Sequence, residues 1–103
     1  MDSTTKDLEQ FRERVAAAQA CLERQEWEDA RRALDAAIAI DPLQPKPFDL
    51  MADVLSHLNR GEQSEAFRTR AKLLRQEQWK RQVEAEIRGQ HELIGAPARH
   101  EIP

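Results

Sequence analysis

Apolar residues recur along most of this chain at steps of three and four. That spacing keeps them on one face of a helix, because each residue turns the backbone by about 100°. The clearest stretch runs from Trp27 to Pro42, where Ala30, Leu34 and Ala37 share a face. Two of the three are alanine, so this face can lie close against another backbone. Pro42 lacks an N–H and pushes Asp41 away from helical angles, which predicts the end of the helix there. Upstream, Leu8, Phe11, Val15, Ala18 and Leu22 predict a helix over about 5–24, with Ser3, Thr4 and Thr5 as alternative N-caps. Arg24, Gln25 and Glu26 form a connection short enough to force the first two helices antiparallel, with Trp27 folded over the end of the first.

Three prolines between 42 and 47 predict a stiff, extended link, and Pro47 suits the first turn of a third helix. Phe48, Met51, Ala52, Leu55 and Leu58 are its buried stripe, and Gly61 is the expected left-handed cap after Asn59 and Arg60. A fourth helix is predicted from about Gln63, with Phe67, Ala71 and Leu74 facing the core and Ala66 and Leu73 flanking. No helix breaker follows until Gly89. Beyond Leu74 the apolar residues change face: Trp79, Val83 and Ile87 lie more than 100° around from the Phe67 stripe. This reads as one long helix with a second apolar face, the alternative being a bend near 75–78 and a fifth helix folded back. Three large apolar groups on a polar helix need cover, worth roughly 1.5–3 kcal/mol each. They either cap the core within the chain or build a homodimer. Two prolines and little to bury make 96–103 a flexible tail beyond a single domain of 1–95.

Composition supports an all-α chain: 103 residues, 34% charged, 5% aromatic, three glycines and no tyrosine. The net charge of −3 is unevenly spread. Residues 1–59 hold 7 Lys/Arg against 12 Asp/Glu, whereas 60–90 hold 8 against 5. An acidic front and a basic back suit antiparallel self-association or a charged partner, beside the plainer reading of solvated helix faces. No apolar run approaches the ~20 residues of a membrane span. The polar N-terminus resembles no secretory signal, so the expected compartment is the cytoplasm.

Candidate chemistry is sparse. Cys21 is the only cysteine, which excludes an internal disulfide and two-cysteine metal motifs. His57, His91 and His100 fall in no HExxH pair, and there is no GxSxG or glycine-rich phosphate loop. The chain is therefore expected to be no enzyme and to need no cofactor or metal. Arg60, Arg68, Arg70, Lys72, Arg75, Lys80 and Arg81 give the fourth helix a basic cast. Glu62, Glu65 and Glu77 interrupt it, and there is no helix-turn-helix spacing. A small helical dimer binding nucleic acid through this helix is the alternative function.

Ala30, Leu34, Ala37 and Pro42 also match the small–large–small–proline spacing that closes a tetratricopeptide repeat. Phe48, Met51, Ala52 and Leu55 stand where the next repeat would open with tryptophan, leucine, glycine and tyrosine. Over about residues 11–75 the chain resembles that family, with one well-formed and one degenerate repeat. The first helix departs from it, having Arg14, Ala17, Ala18 and Cys21 at the opening positions. The second hairpin has a longer loop and no terminal proline. The resemblance implies antiparallel helical hairpins, a fragment of an α-α superhelix, with a long C-terminal helix as cap. It also implies a protein-protein interaction module, an adaptor, assembly factor or small chaperone. Such modules bind a peptide or helix in the groove lined by the first helix of each pair. Here that groove would hold Arg12, Val15, Gln19, Leu22 and Glu23, then Lys46, Asp49, Asp53, Ser56 and His57. The family's carboxylate clamp needs lysine and asparagine on the first helix and asparagine on the third, which Val15, Gln19, Asp49 and Asp53 do not supply. Asp49 and Asp53, one turn apart, would sooner attract a basic segment.

Overall fold

A computed structural model describes the backbone of residues 3–101 and the side chains of residues 5–89. Four helices account for it: α1 (Ser3–Glu23), α2 (Trp27–Ile40), α3 (Pro45–His57) and α4 (Gly61–Glu101). Among the described residues there is no strand. The chain is all-α.

The turns are built from local chemistry. After α1, Gln25 takes a left-handed φ of 61°. The Glu26 N–H donates to the Cys21 carbonyl at 2.8 Å and the Gln25 N–H to that of Leu22 at 3.0 Å. This paired closure satisfies the last free carbonyls of the helix. The end of α3 repeats it: Arg60 donates to Leu55 at 2.8 Å, Asn59 to Ser56 at 3.1 Å, and Asn59 has φ 62°. The left-handed residue is thus Asn59, and Gly61 instead opens α4. Asparagine tolerates this conformation better than most side chains, so the turn closes two residues earlier than a glycine cap would place it. Glutamine has no such tolerance. Gln25→Gly should therefore stabilise the fold by about 0.5–1 kcal/mol, read as a rise in thermal midpoint.

Between α2 and α3, Asp41 holds an extended conformation while its N–H still donates to the Ala37 carbonyl. Its carboxylate accepts hydrogen bonds from the Leu43 N–H at 3.1 Å and the Gln44 side chain at 3.2 Å. Pro45 then starts α3 two residues before the expected Pro47, because a proline at the first helical position loses no bond. Pro47 is buried in the third position.

Packing runs in chain order: α1 on α2, α2 on α3, α3 on α4, with α1 also reaching the edge of α3. One core cluster joins Ala18 of α1, Ala30 and Leu34 of α2, and Met51, Val54 and Leu55 of α3. A second joins Phe48 to Ala71 and Leu74 of α4, with Ile38 and Phe67 packed against it. Alanines at the helix contacts let the backbones approach, as the spacing predicts. The apolar stripe of α1 does not extend to its start. Leu8 is 47% exposed, because α1 is seven residues longer than α2 and its first turns overhang.

The fourth helix is unbroken. No proline or glycine falls between Glu62 and Arg88, and the residues there are strong helix formers. The bend near 75–78 and the fifth helix do not occur. Of the stretch expected as a tail, 96–103, the backbone is helical to Glu101, and the side chains lie outside the described residues. The molecule is elongated as a result. It extends 63 × 36 × 20 Å with a radius of gyration of 19.2 Å, against ~13 Å for a compact chain of this length.

Candidate partner-binding surfaces

The face of α1 and α3 predicted as a groove divides into three kinds of residue. Arg12, Glu23, Lys46 and Ser56 are exposed, and Gln19 and Leu22 are half-buried beside them. Val15 is not available to a partner. It is 7% exposed, turned with Ala18 into the core, because the step of three that relates them follows the buried stripe of α1.

The acidic pair is engaged within the chain. Arg75 of α4 reaches across to the Asp49 carboxylate, and Arg68 lies 3.6 Å from that of Asp53. Two arginines two turns apart on α4 thus converge on two aspartates one turn apart on α3. A basic partner would have to displace them, so the expected attraction for a basic segment is largely offset. As solvent-exposed pairs they contribute at most ~1 kcal/mol each to stability. Their effect is on the charge of this face, which they bring close to neutral.

His57 also differs from the expectation. Its ring stacks on Trp27 at 4.0 Å between centroids with the planes 5° apart. The histidine thus joins the end of α3 to the start of α2, and one face of its ring is occupied by the indole. Trp27 in turn packs against the core cluster, as a residue folded over the end of α1 should. Cys21 lies half-buried beside the same cluster. Among the described residues no group of three or more His, Cys, Asp or Glu is placed to hold a metal ion, and no helix is long and apolar enough to cross a membrane. His91 and His100 lie outside the described side chains.

The basic cast of α4 is reduced by pairing. Arg68 and Arg75 face the aspartates, and Arg81 lies 3.8 Å from Glu77 one turn away. What remains is a mixed surface whose aromatics are Trp79 and the half-buried Phe67, the latter stacked on Phe48.

The Trp79–Val83–Ile87 stripe is uncovered. Trp79 is 67% and Ile87 61% exposed, and Val83 is half-buried. The last tie described between α4 and the rest of the chain is the Gln78 side chain, which donates to the Leu43 carbonyl at 3.3 Å. Among the described residues the stripe therefore caps no core: it sits beyond the bundle and on another face of α4.

One buried polar residue escaped the sequence pattern. Ser64 is 4% exposed, and its hydroxyl donates to the Ala52 carbonyl at 2.8 Å. The bond pins the first turn of α4 to the middle of α3. Its signal was positional: Ser64, Phe67, Ala71 and Leu74 continue one three–four stripe, so a serine was sitting where an apolar residue belongs.

Comparison of the chain with family models, with curated proteins and with solved structures finds no match.

Proposed function

We propose that this protein is a non-catalytic protein-binding module, two antiparallel helical hairpins laid side by side in the manner of a tetratricopeptide fragment. It holds a peptide or helix of another protein on the face shared by α1 and α3. The observation that carries this reading is the unequal spacing of the two layers. The backbone of α1 reaches α3, whereas those of α2 and α4 stay apart. A sheet of helices closed on one side and splayed on the other curves toward the closed side, and a concave helical face is what such modules use to grip an extended or helical ligand.

On that face the half-buried Leu22 and Leu50 form an apolar floor, and Arg12, Gln19, Glu23, Lys46 and Ser56 form a polar rim. With Asp49 and Asp53 already paired, the ligand is selected by shape and hydrogen bonding more than by net charge. An amphipathic helix fits this better than a strongly basic peptide.

The test is site-specific photo-crosslinking in the native host. A photoreactive residue at Gln19 or at Ser56 should capture the same protein, and one at Arg32 on the exposed outer side of α2 should not. Equal capture at all three positions, or none at Gln19 and Ser56, overturns the reading. If instead the chain retains oligonucleotides with an affinity that falls steeply with salt, the nucleic-acid alternative through α4 takes its place.

A further inference from the structure

The projecting part of α4 is hard to explain as an isolated element. Helices derive most of their stability from a packed face, and a solitary one of this length is marginal in water. Beyond Gln78 no packed face is described within the chain, yet the helix carries three apolar residues spaced four apart. At 3.6 residues per turn, the Trp79–Val83–Ile87 stripe is centred about 150° from the face that holds Ala71 and Leu74. A second helix on the stripe would therefore approach from the side away from α3 and meet no part of the bundle.

We infer that the occupant is a second copy of the chain, with the two α4 arms crossing antiparallel about Val83. The argument is self-complementarity. Placing Val83 against its own symmetry mate sets each Trp79 beside Ile87 of the other copy, so that the largest group meets a smaller one and both leave water. In an antiparallel pair, each flank of the stripe meets the same flank of the second copy. Lys80 and Glu84 share one flank, so each lysine comes beside the glutamate of the other copy, twice by symmetry.

Charge selects this direction over the parallel one. Residues 68–81 hold six Lys/Arg against Glu77 alone. Parallel arms would lay this stretch along itself. Antiparallel arms lay it along 85–98, where Glu86 and Glu92 stand against Arg88 alone. The contact covers only a few turns, below the ~1,200–2,000 Å² of a standard interface, so the dimer is a weak and reversible one. It leaves the α1–α3 face of both copies open, pointing outward, and does not depend on what that face binds.

Sedimentation equilibrium of the full chain from low to high micromolar concentration tests the inference. The wild type should pass from monomer to dimer over this range. Trp79→Ala should raise the dissociation constant by at least about tenfold, the loss typical of a central aromatic anchor. Trp79 is exposed and beyond the bundle, so the variant's thermal midpoint, taken at a concentration where both proteins are monomeric, should be unchanged. Direction is read by oxidation in a Cys21→Ser background: Val83→Cys should form a disulfide-linked dimer and Gln76→Cys should not. The two Gln76 positions would be ~21 Å apart along the antiparallel axis but adjacent in a parallel pair. A wild type that stays monomeric, a dimer indifferent to Trp79→Ala, or ready cross-linking through Gln76→Cys each overturns the inference. So would a monomer that binds only some other protein through the stripe.

Discussion

Ala37→Glu should abolish the cooperative melting of this protein. Ala37 has no exposed surface, and it lies on the face of α2 that also holds the fully buried Ala30 and Leu34. A fully buried alanine offers no open surface along which a longer side chain could leave the interior. The substitution therefore either forces α2 away from its neighbours or buries a charge. Burial without a partner costs several kcal/mol even after relaxation. The whole stability of a small domain is only about 5–15 kcal/mol. Ala39→Gln, on the exposed side of the same helix, is the control and should move stability by no more than about 0.5 kcal/mol. The pH dependence is diagnostic. In a folded molecule the introduced carboxyl would have a pKa raised above the ~4.3 of the unfolded chain. The penalty is then smallest below about pH 4 and grows as pH rises through the folded value, so any residual structure should be recovered on acidification. A variant that melts like the wild type at neutral pH would mean that this face of α2 is not packed.

Leu34→Ala should cost about 2–5 kcal/mol, the range for removing a fully buried leucine. Leu34 belongs to the cluster that draws Ala18 from α1 and Met51, Val54 and Leu55 from α3. It is thus the side chain through which the first two helices are tied to the third. For a domain of this size the loss corresponds to a fall in melting temperature of roughly 10–30 °C. It should be measured at fixed protein concentration, since self-association also shifts the midpoint. An unchanged dependence of stability on denaturant would show that the same surface is still buried. A loss below about 1 kcal/mol would mean that the α2–α3 contact is not held by this residue.

The two substitutions probe one device. Small residues bring helices together, and Leu34, with Met51, Val54 and Leu55 of α3, fills the space between three of them. Ser64 extends it to α4 by a different route, a hydrogen bond to the Ala52 carbonyl. The bundle is thus fixed by residues before about position 78, and the remainder of α4 is free to serve as an arm.

Much of this was legible along the chain. The boundaries of α2 came from Trp27 and Asp-Pro, and the core positions Ala18, Ala30, Leu34, Ala37, Met51, Ala52 and Leu55 from their three–four steps. These are local effects: a proline or a helical period acts within a turn or two and needs no knowledge of the fold. The candidate surface was less legible. Val15 fits a groove and a core equally well on spacing alone, and Asp49 and Asp53 looked available because their arginines lie 15 to 26 residues away.

By itself, then, the amino-acid order determined that the protein is helical, where its first two helices end, and which side chains seek shelter. Only the tertiary structure decided that Arg68 and Arg75 fold over the aspartates, that His57 stacks on Trp27, and that the Trp79 stripe is left uncovered. The physical reason is that these outcomes depend on how far each helix overhangs its neighbour and at what angle they cross. Both are set by packing between residues distant in the chain, and no local period records them.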